Sequence, residues 1–318
     1  MRILITGGCG FIGSHFIKYM LEKYTNIYIV NYDSLTYAAN LKNIEVKADN
    51  YKLVVGDIND RQLLSQTLID NQIEYIVNFA AETHIDRSIY GSAVEFIQSN
   101  TLGVMSLLNI LRDKGEQIGI KKMIHISTDE VYGSLELGEN RKFTETTILN
   151  PSTPYASSKA GGDLLCSSYY NTFKIPVVAT RCTNNYGTNQ HKEKLIPLCV
   201  DLLKRGEKLL VHGDGKSVRD WIHVLDNCSA IDVLLSCGEN GEIYNIGANN
   251  ERPNLEVMKM IIKSMGMTFD NSMIKFVKDR PGNDRRYAVD SSKIRALGWN
   301  PIYTDFEKEI NKMVGYYL

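Results

Sequence analysis

The stretch GGCGFIG at residues 7–13 decides the fold, because it follows a strand-like apolar run, Arg2–Thr6, and begins a helix-like segment. Each glycine of the stretch has a physical function. Gly7 permits a tight turn, Gly10 lets the backbone approach a pyrophosphate, and Gly13 lets the helix pack closely on the strand. The amides and the dipole of the helix N-terminus then face the phosphates. This stretch predicts a dinucleotide-binding turn.

Short β-branched runs alternate with amphipathic segments on either side of this turn. The βαβαβ order predicts a doubly wound α/β fold of the Rossmann type, with a parallel sheet, helices on both faces and right-handed crossovers. The strand candidates are residues 2–6, 27–31, 51–55, 73–79, 123–127 and 175–181. The helix candidates are residues 11–23, 60–70, 94–114, 155–172, 194–204, 226–236, 254–264 and 304–314. We expect a cofactor-binding domain over 1–181 and a second, smaller α/β domain over 182–318 that binds mainly substrate, with later segments free to return to the first sheet.

The composition excludes several classes of protein. A chain of 318 residues with 43% hydrophobic content can bury a large core. Its 36 basic residues nearly cancel its 37 acidic ones, so no overall charge favours nucleic acid or a membrane surface. Six cysteines without CxxC spacing indicate free thiols, and no histidine and cysteine pattern indicates a metal site. With no leader-like segment before the first strand, we expect a cytoplasmic protein.

Two acidic residues follow strand candidates in the first half. Asp33 lies twenty residues after Gly13, where a carboxylate accepts hydrogen bonds from ribose hydroxyls and repels a ribose phosphate. This position favours NAD over NADP, although an acid after a strand also serves as a helix cap or turn former. Asp57 follows the third strand, where it contacts the adenine or, alternatively, caps the next helix.

Two further groups of side chains indicate chemistry. Tyr155 and Lys159 are four residues apart at the start of a helix, so they share one face. An ammonium near a tyrosine favours the phenolate, which is the form that abstracts a proton. Asp129 and Glu130 follow the strand 123–127 at the carboxyl edge of the predicted sheet, where ligands bind in doubly wound folds. The alternatives are a chance helical pair and a solvated turn.

With these motifs together, the chain resembles the extended short-chain dehydrogenases/reductases, and among them the dTDP-glucose 4,6-dehydratases over essentially its whole length. The adjacent acids in Thr128-Asp129-Glu130 discriminate this family from sugar epimerases and decarboxylases. The matching stretches are GGCGFIG (7–13), NFAAETHIDRS (78–88), STDEVYG (127–133), YASSK (155–159), RCTNNYG (181–187), EKLIP (193–197), VRDW (218–221), YNIG (244–247) and DRPGNDRRYA (279–288).

The resemblance implies an internal redox reaction with loss of water. Tyr155 takes the proton of the sugar 4-hydroxyl, Thr128 hydrogen-bonds the 4-oxygen, and Lys159 supports both the phenolate and the nicotinamide ribose. Glu130 then removes the proton on carbon 5, and Asp129 protonates the leaving 6-hydroxyl. Family members stay loaded with NAD and are commonly homodimers that pair through helices corresponding to residues 94–114 and 155–172.

The resemblance also assigns binding residues across the chain. The cofactor-binding residues are Gly7, Gly10, Phe11, Ile12, Gly13, Asp33, Ser34, Leu35, Thr36, Asp57, Ile58, Phe79, Ala80, Ala81, Thr83, Ser99, Tyr155, Lys159 and Asn185. The substrate-binding residues are His84, Thr128, Asn184, Lys194, Leu195, Val211, His212, Arg219, Asn245, Arg280, Asn283 and Tyr287. Arg219 and Arg280 suit a diphosphate, because a guanidinium binds phosphate oxygens through charge-assisted hydrogen bonds. His84 is alternatively an ordinary satisfied histidine.

Three departures from the family pattern leave the nucleotide open. Bacterial dTDP-glucose enzymes usually have tyrosine at the position of His212 and histidine at that of Asn283, and residues 189–192 replace an aromatic and proline stretch. The histidine and asparagine forms resemble plant UDP-glucose 4,6-dehydratases. The alternatives are therefore a UDP-glucose or dual-specificity dehydratase, a nucleotide-sugar 4-epimerase or decarboxylase, and a non-catalytic NAD-binding protein.

Overall fold

A seven-stranded parallel sheet forms the centre of the protein in a computed structural model, which describes residues 1–45 and 49–318. The strands are β1 (Arg2–Thr6), β2 (Tyr28–Asp33), β3 (Tyr51–Val55), β4 (Tyr75–Asn78), β5 (Lys122–Thr128), β6 (Val177–Cys182), β7 (Asn184–Tyr186), β8 (Leu209–His212), β9 (Val218–His223), β10 (Ile243–Ile246), β11 (Glu251–Pro253) and β12 (Ile274–Val277). The central sheet has the order β3-β2-β1-β4-β5-β6-β10, and its pairs are parallel. The doubly wound prediction is confirmed.

The helices cover both faces of this sheet. They are α1 (Phe11–Lys23), α2 (Arg61–Asp70), α3 (Ile85–Tyr90), α4 (Val94–Ile97), α5 (Gly103–Ile118), α6 (Pro154–Phe173), α7 (Leu195–Lys204), α8 (Val224–Cys237), α9 (Asn254–Ser264), α10 (Ser292–Arg295) and α11 (Phe306–Tyr317). A π-helical turn, Gln98–Leu102, joins α4 to α5. In the described ranges, no helix combines the length and the apolar character that crossing a lipid bilayer requires.

The alternation of side chains along β1 explains the two-sided core. Ile3 and Ile5 pack with residues of α1 and α8 on one face, whereas Leu4 packs with residues of α2 and α5 on the other. All three side chains are fully buried. Because successive strand residues point to opposite faces, a sheet covered on both faces requires apolar residues at every position. This requirement explains the continuous apolar runs of the first half.

The second half of the chain adds a smaller unit and also returns to the main sheet. Helices α7, α9 and α11 enclose a separate apolar core that includes Trp221 and Phe306. Strands β7, β9 and β11 form a three-stranded sheet, and β8 pairs with β12. Strand β10 pairs with β6, so a segment beyond residue 181 extends the central sheet.

The predicted elements are present, and the largest shift of an end is at α5, predicted to stop at 114 and found to stop at Ile118. The strands β7 to β12 were not predicted. Most of them are three or four residues long, and the six-residue β9, VRDWIH, has an arginine and an aspartate that interrupt its apolar residues. Length of the apolar run is therefore what separates the elements that the sequence predicts from those that it does not.

Candidate active site

The glycine turn after β1 brings three backbone segments into close contact. Gly7 has a φ of +68°, and a Cβ at this position would lie 2.8 Å from the backbone nitrogen of Ala80. A Cβ on Gly13 would lie 2.5 Å from the carbonyl oxygen of Gly7. Helix α1 therefore approaches the turn closely only because both positions lack a side chain. The first amides of α1 consequently face the cavity beyond the sheet edge.

Asp33 ends β2 at the same edge, and its carboxylate is held by two backbone amides. It accepts hydrogen bonds from the N–H groups of Cys9 and Leu35, both at 2.8 Å. A carboxylate has about four acceptor sites, so these two bonds fix its orientation and leave acceptors for a ligand. This geometry fits the predicted contact to ribose hydroxyls and disfavours a phosphate at the same place.

A cavity of about 680 Å³ follows the carboxyl ends of β1 to β6. Its wall contains every predicted cofactor residue except Leu35, whose amide supports Asp33 instead. The lining residues among these predictions are Gly7, Gly10, Phe11, Ile12, Gly13, Asp33, Ser34, Thr36, Asp57, Ile58, Phe79, Ala80, Ala81, Thr83, Ser99, Tyr155, Lys159 and Asn185. Exposed amides at a side-chain-free turn, together with an oriented acid, fit a dinucleotide.

Asp57 lies in this wall and does not cap the next helix. Its carboxylate accepts a hydrogen bond from the backbone N–H of Asn59 at 2.8 Å, which forms a local turn. The cap of α2 is Asp60, which accepts from the N–H of Leu63 at 3.0 Å. The helix-cap alternative for Asp57 is therefore wrong.

Asp129 and Glu130 lie in a short 3₁₀ turn directly after β5, and the environment separates their acidities. Burial raises the pKa of Asp129 well above its ordinary value, and the neighbouring Glu130 carboxylate raises it further. Burial also raises the pKa of Glu130, but the positive charge of Arg219 opposes this effect, and the value is about 7. One oxygen of each carboxyl is buried without a hydrogen-bond partner. The pair therefore offers one acid and one base to a ligand at neutral pH.

Tyr155 and Lys159 are presented to the same cavity from the first turns of α6. Lys159 is buried and donates a hydrogen bond from Nζ to the carbonyl oxygen of Ile126 at 2.6 Å. Burial raises the pKa of Tyr155 well above its ordinary value, and the Glu130 carboxylate raises it further. Burial also lowers the pKa of Lys159. The expected stabilisation of the phenolate by Lys159 is therefore not the dominant effect here, since burial outweighs it.

Three cations from the second half of the chain act on the Glu130 carboxyl. The charges of Arg219, Lys194 and Arg280 each lower the pKa of this carboxyl. Lys194 lines the cavity and donates a hydrogen bond to the carbonyl oxygen of Thr83 at 3.2 Å. The guanidinium of Arg219 lies 4.3 Å from the ring centre of Tyr287. This arrangement favours an anionic ligand next to the acid pair.

Comparisons with known proteins show the family of this chain. A family model described as GDP-mannose 4,6 dehydratase matches residues 4–313. A dTDP-glucose 4,6-dehydratase of Xanthomonas campestris pv. campestris (strain B100) is 45% identical, over 99% of this chain and 92% of its own. The chain belongs to the dTDP-glucose 4,6-dehydratase family.

Two further relatives in and near this family cover the complete chain. The low-salt glycan biosynthesis protein Agl12 of Haloferax volcanii is 46% identical, over 100% of this chain and 99% of its own. The crystal structure of the dTDP-glucose 4,6-dehydratase of Bacillus anthracis in complex with NAD has a TM-score of 0.90 at 45% identity, and covers 100% of this chain and 96% of its own. The family membership therefore extends over both halves of the molecule.

The predicted substrate residues of this dehydratase family member fall into two groups. Thr128, Asn184 and Lys194 line the cavity. The others lie outside its wall: His84, Leu195, Val211, His212, Arg219, Asn245, Arg280, Asn283 and Tyr287. His84 accepts a hydrogen bond from the N–H of Arg87 at 3.2 Å and so caps α3.

Asn245 has a side chain whose polar groups bond within the protein. It is fully buried in β10, accepts a hydrogen bond from the Tyr132 hydroxyl at 2.7 Å and donates one to the Phe143 carbonyl at 3.0 Å. Val211 is likewise buried, in the apolar core under α7. Both side chains pack against protein groups and stabilise the fold, and their contact with substrate stays a prediction.

Several residues of the cavity wall were not predicted. The Tyr37 hydroxyl donates a hydrogen bond to Glu193 at 3.2 Å, and the guanidinium of Arg87 lies 4.1 Å from the Tyr37 ring centre. Tyr317, from the end of α11, accepts a hydrogen bond from the N–H of Gln190 at 2.8 Å. Glu193 stands in the EKLIP stretch and was available to sequence reasoning, whereas no local pattern indicates the tyrosines.

Proposed function

We propose that this protein converts dTDP-glucose to dTDP-4-keto-6-deoxy-glucose and water with a tightly bound NAD. The observation that carries the proposal is the adjacent pair Asp129 and Glu130, which lie near Tyr155 and differ in pKa. Oxidation alone requires only a tyrosine and a lysine. An acid and a base side by side in one wall are what elimination of water requires in addition.

The residues of the glycine turn and Asp33 would hold the NAD. When bound, NAD accepts a hydride from carbon 4 of the sugar and returns it to carbon 6. Tyr155 takes the proton of the 4-hydroxyl, and the Thr128 hydroxyl, whose hydrogen bond lowers the pKa of Tyr155, assists this transfer.

The ketone formed at carbon 4 acidifies the hydrogen on carbon 5. Glu130 removes this hydrogen as a proton, Asp129 donates its proton to the 6-hydroxyl, and the bond between carbon 6 and oxygen breaks to release water. Glu130 returns its proton to carbon 5 when carbon 6 is reduced. Tyr155 has then gained the proton that Asp129 has lost. Thr128, hydrogen-bonded to Asp129 at 3.3 Å, lies on the path for its return.

Incubation with dTDP-glucose and, separately, with UDP-glucose tests this function. We expect the alkaline ultraviolet absorbance of a 4-keto-6-deoxy sugar from dTDP-glucose, and its absence in the Asp129→Asn variant. Product from UDP-glucose alone supports the uridine alternative that His212 and Asn283 raise. Absence of product from both nucleotides overturns the proposal, and an epimerised sugar instead of the ketone assigns the 4-epimerase alternative.

We infer that the two halves of the chain divide the work, with residues 1–181 holding most of the cofactor and 182–318 most of the substrate. A homodimer that pairs through the helices of residues 94–114 and 155–172 is also proposed, supported by exposed apolar side chains at Leu102, Leu164 and Phe173. Free cysteines, five of them buried, support a reducing cytoplasmic location.

A further inference from the structure

Asn283 lies between two arginines at the substrate side of the site, and its amide is fully engaged. The amide oxygen accepts hydrogen bonds from the Nη2 atoms of Arg219 at 3.3 Å and Arg280 at 3.4 Å. The amide nitrogen donates to Asp279 at 2.8 Å and to Ser217 at 3.2 Å. A side-chain amide has two donors and room for two accepted bonds. No donor or acceptor of the Asn283 amide is left for a nucleobase. This geometry therefore disfavours direct contact between Asn283 and the base.

The two guanidinium groups converge on one neutral oxygen, although like charges repel at such a distance. In the described ranges Arg219 forms no ion pair with a carboxylate, and its Nη1 donates to the carbonyl of Val218 at 2.8 Å. Arg280 pairs with Asp86 at 3.2 Å through Nη1, while its Nε is buried without a partner. An unpaired cation and a buried free N–H donor beside each other fit an anion with several oxygens.

We propose that Asn283 is a positioning residue that holds the guanidinium groups of Arg219 and Arg280 in the arrangement that binds the diphosphate of the substrate. This inference rests on the proposed function, because a nucleotide sugar supplies the diphosphate. The neutral amide aligns both guanidinium groups without adding a negative charge that would pair with them. A carboxylate at the same place would pair with the arginines and compete with phosphate oxygens.

An asparagine at this position acts differently from the histidine that the bacterial enzymes resembling this chain usually have. A neutral imidazole has one acceptor nitrogen, so it bonds one of the two guanidinium groups at a time. Asn283 serves both at once. The residue at this position therefore determines how firmly the two guanidinium groups are held next to each other.

The test compares Asn283→Ala and Asn283→Asp with the wild type, all loaded with NAD. The matched control is Asn300→Ala, because Asn300 is an exposed asparagine that accepts a hydrogen bond from Arg295 at 2.9 Å away from the site. Calorimetry measures Kd for dTDP, and ligand-observed NMR measures the weaker binding of thymidine. We expect N283A to weaken dTDP binding about tenfold and thymidine binding less than about twofold. N283D should weaken dTDP binding more than N283A, and N300A should change neither.

Equal dTDP affinity of N283A and the wild type overturns the inference, as does tighter binding of dTDP by N283D than by N283A. A parallel loss of thymidine affinity also overturns it, because that result assigns Asn283 to the base. Should N283A not fold, Asn283→Ser replaces it, since one hydroxyl cannot bond both arginines. Turnover is measured separately: a wild type that binds dTDP without forming product refutes the proposed function and leaves this inference intact.

Discussion

Asp129 and Glu130 are neighbours in sequence, yet their surroundings give them different protonation states. Asp129 is buried and Glu130 is half-buried, and the loss of water around each disfavours its charged form. The difference arises because Glu130 interacts with Arg219, Lys194 and Arg280, whereas Asp129 experiences chiefly the negative charge of Glu130. The substrate-side cations therefore have two functions: they attract an anionic ligand and they keep the base ionisable.

Replacement of Glu130 by glutamine tests its role as the base. Gln has nearly the same shape but does not take a proton, so we expect turnover to fall about a hundredfold to ten-thousandfold. Oxidation at carbon 4 should persist, and the near-ultraviolet absorbance of reduced cofactor should build up in stopped-flow mixing with dTDP-glucose. The control is Glu136→Gln, at an exposed position. Wild-type turnover in E130Q contradicts the assignment.

The pH dependence of kcat/KM follows from the same residue. The pKa of Glu130 is about 7, and only the ionised carboxylate acts as a base. Activity should therefore fall about tenfold per pH unit below about pH 7. In Arg219→Gln the opposing positive charge is removed, so the pKa rises and the acidic limb should move to higher pH. The pH profiles of kcat/KM for the wild type and Arg219→Gln are compared. If the acidic limb of the variant does not move, or moves to lower pH, Arg219 does not lower the pKa of Glu130.

At the scale of the element, the start of α6 determines where Tyr155 and Lys159 project. Thr153 caps this helix by accepting a hydrogen bond from the N–H of Ala156 at 3.1 Å. We expect Thr153→Ala to reduce the free energy of unfolding by about 1 kcal/mol, as loss of a cap does. Urea denaturation measures the effect. Thr153→Ser keeps the hydroxyl and should lose less, and equal losses in the two variants would show that the cap bond is not the cause.

Two glycine-to-alanine changes in helices should have different effects: one lowers NAD retention, and the other stabilises the fold. Gly13→Ala adds a Cβ that would lie 2.5 Å from the Gly7 carbonyl oxygen, so α1 must move away from the turn and NAD retention should fall. At Gly315 in α11 a Cβ meets nothing within 4 Å, and alanine should stabilise by about 0.5 to 1 kcal/mol. Thermal unfolding and cofactor content of the purified variants measure both. Normal NAD content in G13A contradicts the close approach.

The elements that sequence reasoning predicted are those whose cause is local. The glycine turn, the long apolar strands and the helix-borne Tyr155 and Lys159 each depend on a short stretch of chain. The strands after Cys182 are mostly three or four residues long, and the longer β9 contains charged residues, so no apolar run reveals them. Contacts such as Tyr37 with Glu193, 156 residues apart, come from the folding of the whole chain. Asn245 had the right residue type, but its burial depends on partners a hundred residues away.

At the scale of the molecule, the site is completed by a chain that crosses between its two halves. The first half forms the sheet edge with the cofactor residues, and the second supplies Lys194, Arg219 and Arg280. Strand β10 then returns to pair with β6 in the central sheet. Because this strand anchors the second half to the first, the substrate-side cations are held at a fixed distance from Glu130.

The proposed dimer gives a prediction for the assembled protein. Leu164 lies on α6 with 62% of its surface exposed, and Leu102 and Phe173 are also exposed. Burial of such side chains against a second copy would stabilise a pair by the hydrophobic effect, and a charge at the centre of the contact would oppose it.

Analytical ultracentrifugation should find a dimer for the wild type and a monomer for Leu164→Glu. Ile302→Glu, at an equally exposed residue away from α5 and α6, is the control and should remain dimeric. A monomeric wild type, or dissociation in I302E but not in L164E, would contradict pairing through these helices.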